Sequence, residues 1–235
     1  MKHIIAAFLC LTLLTSCDEL QEVVNQIPNS SSVLSNTDIA SGLRQALDLG
    51  IDKQVTKLTA TDGFFKNELV KIALPAELQK VDDALRKIGL SSLADEGLKV
   101  LNRAAEDAVK EATPIFVNAV SEITFDDAKN ILLGEDNAAT SYLTTKTETD
   151  LYNKFKPVIE DSFSKVGADQ IWTNLITKYN NIPLTNNVNP DLTDYVTTEA
   201  LKGVYTMIAV EEKEIRTSVS SRSTDLLKKV FALQD

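Results

Sequence analysis

Residues 39–58 read IASGLRQALDLGIDKQVTKL, and this stretch decides the fold class. Its large apolar side chains recur at steps of four and three residues: Ile39, Leu43, Leu47, Ile51, Val55 and Leu58. This spacing places them on one face of a helix, whereas a strand would show alternation at every second residue. Ser35, Asn36 or Thr37 can cap the start of the helix, and Thr61-Asp62-Gly63 predicts its end.

The same helical spacing continues along most of the chain. We expect further helices over residues 64–74, 78–88, 93–109, 115–120, 124–133, 136–146, 151–166, 168–179, 191–216 and 224–233. Pro114 is expected to kink or split the chain before 115–120, and Pro157 is a potential kink. No stretch shows strand alternation bounded by turns, and no repeat of fixed period is present. The prediction is a single all-α bundle of about eight to ten helices over residues 36–235.

The first seventeen residues have the features of a lipoprotein signal peptide. Lys2 gives a basic start, residues 4–14 are apolar apart from Thr12, and Leu14-Thr15-Ser16-Cys17 has the leucine, small residue and cysteine of a lipoprotein cleavage site. A membrane-spanning helix needs about 20 apolar residues, so the stretch at residues 4–14 is too short to be one. We therefore expect residues 1–16 to be removed and Cys17 to carry a lipid. The alternative is an ordinary secretory signal in which Cys17 is incidental.

A tether follows the expected anchor. Residues 17–35 are polar around Pro28, and we expect them to be flexible between the lipid and the domain. Asp18 and Glu19 resemble an inner-membrane retention signal in some enteric bacteria and a surface-export signal in other Gram-negative lineages, or they simply solvate the tether. We expect a lipid-anchored protein of the cell envelope at the outer membrane, on its periplasmic face or at the cell surface.

Composition excludes several function classes. The chain has 24 basic and 34 acidic side chains, a formal net charge of −10, so nucleic acids and anionic lipid head groups are poor partners. The single histidine, His3, and Cys10 lie in the expected signal, and lipidation would consume Cys17. The processed chain would then lack Ser-His-Asp and Cys-His catalysis, zinc sites built from His and Cys, and disulfides. We predict no cofactor, metal or catalytic site.

Several stretches together resemble a known family. They are Ser41–Leu47, Thr61–Phe65, Asn102–Ala108, Pro114–Ala119, Thr124–Ala128 and Asn189–Leu192. On these stretches the chain resembles family 4197 of the domains of unknown function, found in Gram-negative bacteria and often preceded by a lipoprotein signal. The resemblance covers most of residues 36–233. It implies an all-helical secreted domain and supplies no catalytic residues.

The most site-like stretch contains Asn102, Arg103, Glu106 and Asp107. Residues four apart lie side by side on a helix, so these side chains could form a solvated face with ion pairs. The alternative is a buried polar cluster against the turn at Phe64 and Phe65 that could hold a ligand. The two phenylalanines form either a mouth for an apolar ligand or a partner helix, or a staple that fixes the loop to the core.

The remaining acid–base groups are adjacent carboxylates. Asp82-Asp83, Asp126-Asp127 and Glu211-Glu212 project in different directions on a helix, and we expect each pair to face solvent or to cap a helix. A glycosidase needs two carboxyl groups about 5–9.5 Å apart across a cleft, and the local sequence shows no such arrangement.

The leading hypothesis is a non-enzymatic envelope lipoprotein that binds a partner protein or an apolar ligand. The alternative is an enzyme that acts on envelope glycan or polymer with carboxylates alone, for which Arg103, Glu106 and Asp107 are the first candidates. A carrier would have a closed apolar cavity. A glycan enzyme would have an open cleft with facing carboxyl groups and exposed aromatic rings, and a scaffold would have an exposed apolar patch.

Overall fold

The computed structural model describes residues 34–87, 91–165, 172–173, 176–177 and 191–232. These residues form α-helices and one short 3-10 helix, and they contain no strand, so the predicted all-α class is confirmed. The fold has eight bounded α-helices in the described part of the chain: α1 Asn36–Thr59, α2 Ala76–Lys87, α3 Ser91–Val109, α4 Ala112–Ser121, α5 Phe125–Leu132, α6 Ala138–Lys165, α7 Thr193–Thr217 and α8 Asp225–Phe231, with the 3-10 helix Val219–Ser221 between the last two.

Helix α1 begins at a capping box. The N–H of Asp38 donates to Ser35 Oγ at 3.1 Å, and the N–H of Ser35 donates to Asp38 Oδ2 at 3.0 Å, so the helix start has side-chain partners. Leu43 and Ile51 of the predicted apolar face are each 2 % exposed. The helix ends where the sequence predicts, and Asp62 in the following turn has a φ of 65°. Aspartate tolerates this left-handed conformation better than most residues do.

The helix predicted over residues 64–74 is wrong. Residues 61–66 and 68–70 form turns, and residues 71–75 have no regular secondary structure. Asn67 Oδ1 accepts from the N–H of Leu69 at 3.1 Å, a local side-chain bond that competes with helix formation. Further along, the backbone of Ile72 bonds to the side chain of Asn102 on α3 instead of to a helical neighbour. Apolar spacing alone could not reveal these competing partners.

Two predicted helices, 136–146 and 151–166, are one continuous helix, α6. The buried row of this helix runs through Leu143, Thr147, Leu151 and Phe155. The sequence shows a gap because Thr147 occupies an apolar position. Its hydroxyl donates to the carbonyl of Leu143 at 2.7 Å, which lets the polar side chain remain buried within the helix. Pro157 lies inside this helix.

The break before 115–120 is confirmed. Helix α3 ends at Val109 and α4 begins at Ala112, which places Pro114 in the first turn of α4. A proline is tolerated there because the first-turn N–H groups have no helical partner.

Some predictions fall on other parts of the chain. The signal, Cys17 and most of the tether lie outside the described residues, as does the loop at 180–190. The helix predicted over 168–179 is described only in part, where Trp172 and Ile176 are helical and buried.

Helix α7 is central to the packing. It packs against α6, α1 and α3, and α1 also packs against α4, α5 and α8. Helices α6 and α7 are antiparallel, because Glu212 near the end of α7 contacts Thr140 at the start of α6, and Asp194 at the start of α7 contacts Tyr152. Among the described residues, no helix combines the length and the apolar character that crossing a membrane requires.

Candidate functional site

Asn102 joins α3 to residues 71–75, the segment before α2. Its side chain is 0 % exposed, its Oδ1 accepts from the N–H of Ile72 at 2.8 Å, and its Nδ2 donates to the carbonyl of Ile72 at 2.9 Å. The Asn102 amide thus makes both backbone hydrogen bonds of Ile72, as a neighbouring strand would. It also donates to the carbonyl of Leu98 at 2.8 Å. Of the two interpretations that the sequence leaves open, Asn102 fits the buried polar cluster and not a solvated face.

Glu106 and Arg103 fix the turn that follows α1. Glu106 Oε1 accepts from the N–H of Phe64 at 3.2 Å, and Glu106 Oε2 accepts from Arg103 NH1 at 2.6 Å. Arg103 NH2 donates to Asp62 Oδ1 at 2.6 Å, and Lys66 pairs with the other Asp62 oxygen at 2.8 Å. A continuous chain of charged groups therefore runs from α3 through the turn.

The two phenylalanines of the turn have different environments. Phe64 is 0 % exposed and lies against α7, where a Cβ at Gly203 would come within 2.6 Å of Phe64 Cε1. Phe65 is half-buried, and Lys71 Nζ lies 4.8 Å from the centre of its ring. Phe64 therefore has the packing expected of a staple, while Phe65 stays at the surface.

Asp107 does not join this cluster. Its side chain is 48 % exposed and pairs with Lys110 at 2.7 Å, and its Oδ2 accepts a longer hydrogen bond from Ser162 at 3.3 Å. The structure therefore links Phe64, Arg103 and Glu106 through hydrogen bonds, places Asn102 on the backbone of Ile72, and leaves Asp107 at the surface. Since Glu106 is already hydrogen-bonded to the backbone of Phe64, and Arg103 to Asp62, these contacts account for the position of the turn. A ligand at these residues stays a prediction.

The Asn102 side chain provides the first test of this arrangement. Replacing Asn102 with Leu leaves the N–H and the carbonyl of Ile72 buried without partners, so we expect the free energy of unfolding to fall by about 2–4 kcal/mol. Asn118→Leu is the matched control, because Asn118 is exposed on α4, and we expect a change within about 0.5 kcal/mol. Urea unfolding followed by circular dichroism measures both. Equal effects would contradict the account.

The charged groups at the turn should make the free energy of unfolding depend on pH. The hydrogen bond from Lys66, together with the charges of Arg103, Lys66 and Lys99, lowers the pKa of Asp62 below its usual value of 3.8. A carboxyl group whose pKa is lowered on folding stabilises the protein at pH values above its unfolded-state pKa. This stability is lost as the pH falls through its folded-state pKa. Asp62→Asn tests this well, because asparagine also tolerates a positive φ.

We expect the difference in unfolding free energy between the native protein and Asp62→Asn to be constant above about pH 5. It should shrink as the pH falls below 3.8. Asp52→Asn makes the same change at an exposed position of α1 and is the matched control. A difference that grows on acidification would contradict the assignment.

A second buried polar set holds α5 and α6 to α7. Glu212 Oε1 accepts from the N–H of Ala139 at 2.9 Å, and Glu212 Oε2 accepts from the N–H and the hydroxyl of Thr140, each at 2.8 Å. The carboxylate therefore caps the start of α6 from a different helix. Arg216 pairs with Glu212 at 2.8 Å and donates to the carbonyl of Ile131 at the end of α5, also at 2.8 Å.

The adjacent carboxylates thus have different structural roles. Glu212 caps a helix, which is one of the two predicted roles. Asp127 also caps a helix, through the capping box with Thr124 at the start of α5. Glu211 does neither: it is 5 % exposed and accepts from Lys53 Nζ at 2.6 Å and from Gln54 Nε2. The expectation of a solvent-facing or capping role is wrong for Glu211, because α1 supplies it with a buried partner.

An open groove runs between α6 and α7. It has a volume of about 750 Å³, within the range of small-molecule sites. Threonines form much of its wall, together with two tyrosines and one residue of each charge: Thr140, Thr144, Glu148, Thr149, Tyr152, Thr198, Leu201, Lys202, Tyr205, Thr206 and Ala209. None of the sequence patterns predicted this site.

The two tyrosines of this α6–α7 groove are held by hydrogen bonds. The hydroxyl of Tyr205 lies 2.8 Å from Thr147 Oγ1, and burial raises the pKa of Tyr205 to about 12, so the phenol stays protonated. The hydroxyl of Tyr152 donates to Asp194 on α7, and Lys156 Nζ lies 5.7 Å from the centre of the Tyr152 ring. These contacts fix the ring positions before any ligand arrives.

The described residues contain no group of three or more histidine, cysteine, aspartate or glutamate side chains placed to hold a metal ion. A family model matches residues 33–232 of the chain. The chain belongs to DUF4197, described as a protein of unknown function. No curated protein and no solved structure matches the chain. The match confirms the resemblance found in the sequence.

Proposed function

We propose that this DUF4197 protein is a non-enzymatic binding module of the cell envelope, held there by a lipid on Cys17, and that its ligand binds in the α6–α7 groove. The observation that carries the proposal is the groove itself, an open concave surface of about 750 Å³ with hydroxyl groups on both walls. Concave surfaces with a few convergent polar groups are the usual form of ligand sites.

The groove has the rigidity that binding favours. The Tyr152 hydroxyl bridges from α6 to Asp194 on α7, and the pair Thr147 and Tyr205 makes a second bridge between the same helices. Because these bonds already order the walls, a ligand would lose less free energy in fixing them. The turn at Phe64 offers less, since Glu106 already bonds to the backbone of Phe64. Asn102 is likewise engaged, with the backbone of Ile72.

The carboxylates favour binding over hydrolysis. Glu106, Glu211 and Glu212 are buried and accept hydrogen bonds from the protein itself. Among the described residues that line the groove, Glu148 is the one carboxylate. A glycosidase acts with a pair of carboxyl groups that face each other across the scissile bond, and the lining of the groove offers a single one.

The lipid anchor has a direct test. Replacing Cys17 with Ser removes the sulfur that would carry the lipid, so we expect the protein to move from the membrane pellet to the soluble envelope fraction. Cys10→Ser is the matched control, because it changes the other cysteine of the chain, and this variant should stay in the pellet. Immunoblots of fractionated cells measure both. A Cys17→Ser variant that still sediments with membranes and resists high salt would contradict the anchor.

The ligand site is tested separately by native mass spectrometry of the protein purified without detergent. We expect a bound mass that is lost on denaturation. Thr206→Trp would fill the groove from an exposed position of α7, and Thr217→Trp places the same ring on the same helix outside the groove. The proposal expects loss of the bound mass from the first variant alone. Loss from both variants, or from neither, would overturn the groove assignment.

A further inference from the structure

The lining of the α6–α7 groove points to a chemical class of ligand. We propose that the groove binds an uncharged linear glycan; this inference rests on the groove being the ligand site. Three properties of the lining carry it: the type of side chain, the balance of charge and the shape.

The side chains of the walls are amphiphilic in the way that sugars are. A threonine side chain carries a methyl group beside a hydroxyl, and a hydroxyl both donates and accepts hydrogen bonds. A pyranose ring likewise presents a C–H face beside hydroxyl groups that donate and accept. Thr149 and Thr198 lie on opposite walls of the groove, on α6 and α7, and the hydrogen bonds of the described residues do not engage either hydroxyl.

Tyr152 supplies a flat surface at one end of the groove. Its ring is half-buried and its hydroxyl is fixed by Asp194. An aromatic ring held in this way can stack on the C–H face of a sugar at little entropic cost. Glu148, one turn before Tyr152 on α6, can accept hydrogen bonds from two neighbouring sugar hydroxyls.

The charges of the groove select an uncharged ligand. In the part of the lining that the structure describes, Glu148 and Lys202 are the two charged side chains. Lys202 Nζ is paired with Glu199 Oε1 at 2.6 Å, so its charge is largely engaged. A groove for an anion or a cation would gather one sign of charge, whereas this lining carries one charge of each sign.

The shape favours a chain over a compact molecule. The α6 wall runs from Thr140 to Tyr152, and at 1.5 Å per residue this is roughly 18 Å. An acyl chain would need an apolar enclosure. The apolar cavity between α1 and α7, lined by Leu47, Ile51 and Ile208, has a volume of only about 30 Å³, room for a water molecule or two.

The test is calorimetric titration with uncharged linear tetrasaccharides: β-1,4-linked N-acetylglucosamine, β-1,4-linked glucose and α-1,4-linked glucose. The de-N-acetylated form of the first is the charged control, because it keeps the linkage and adds amines. We expect at least one uncharged tetramer to bind, and we expect it to bind more tightly than the charged form. If none of the three binds, or if the charged form binds more tightly, the inference is overturned.

Two pairs of variants locate the binding. The double variant Thr149→Val and Thr198→Val removes one hydroxyl from each wall at nearly constant shape. We expect its affinity for the glycan to fall roughly ten- to thirtyfold. Thr145→Val, an exposed threonine of α6 outside the groove, is its control. Tyr152→Ala should abolish stacking, while Tyr142→Ala removes another half-buried tyrosine of α6 that also has a lysine 5.7 Å from its ring centre.

The outcomes separate this inference from the proposed function. If a groove variant and its control weaken glycan binding equally, the glycan site in the groove is overturned. If no tetrasaccharide binds but Thr206→Trp still removes a natural bound mass, the ligand is of another class, and the groove remains the site. If no tetrasaccharide binds and no bound mass is found, both proposals fail.

Discussion

Removing the Glu212 carboxylate should cost about 3–5 kcal/mol of unfolding free energy, the largest loss that we expect from a single polar substitution. In Glu212→Ala the guanidinium of Arg216 stays buried without its charged partner. The N–H groups of Ala139 and Thr140 also lose the carboxylate that caps α6. Unfolding in urea measures the change.

Glu214→Ala is the matched control for Glu212. Its side chain is 53 % exposed and lies 3.7 Å from Lys53, and we expect a change within about 0.5 kcal/mol. Arg216→Ala should also be strongly destabilising, and the double variant should cost less than the sum of the two single changes because the two groups are partners. A loss below about 1 kcal/mol for Glu212→Ala would contradict a cap that holds α6 to α7.

Phe64→Ala should lower the free energy of unfolding by about 3–5 kcal/mol, because it leaves a cavity where the ring packs against Gly203 of α7. For a chain of this size that corresponds to a fall in Tm of roughly 10 °C. Differential scanning calorimetry measures the fall.

Phe65→Ala is the control for Phe64, since Phe65 is the neighbouring ring at the surface. We expect it to cost about 1 kcal/mol or less. The pair separates the two interpretations of the turn. A staple requires that Phe64 matters far more than Phe65 for stability, whereas equal and small effects would favour a binding mouth formed by both rings.

Helices with a large apolar face can be predicted from the sequence. Helices α1 and α7 fall where the spacing of leucine, isoleucine and valine places them, and Ser35 caps α1 as expected. The spacing is sufficient there because it records burial directly.

Predictions are wrong or incomplete where a polar side chain occupies a core position. Thr147 interrupts the apolar row of α6 in the sequence, yet it is 1 % exposed and bonds to its own helix and to Tyr205. Asn102 draws the backbone of Ile72 away from a helix. Such bonds join residues that are far apart in the sequence, and a local pattern cannot show them.

The candidate site was predicted only in part. The buried polar cluster is one of the two alternatives for residues 102–107. Asn102 and Glu106 are buried, whereas Arg103 is partly exposed and Asp107 lies at the surface. The groove was missed because its two walls are separated by the whole segment from α6 to α7. A signal was present on each wall, in the rows of mostly polar residues at helical spacing: Thr140, Thr144, Glu148 and Tyr152 on α6, and Thr198, Lys202, Thr206 and Ala209 on α7.

The central claim is that the α6–α7 groove holds the ligand of this protein in the envelope. The most direct measurement places a photo-crosslinking amino acid at Thr149, inside the groove, or at Thr145, one turn away on α6 and outside it. After irradiation of living cells, mass spectrometry of the purified protein identifies any adduct. The account predicts a defined adduct at position 149 and none at position 145. Equal adducts at both positions, or none at position 149, would contradict it.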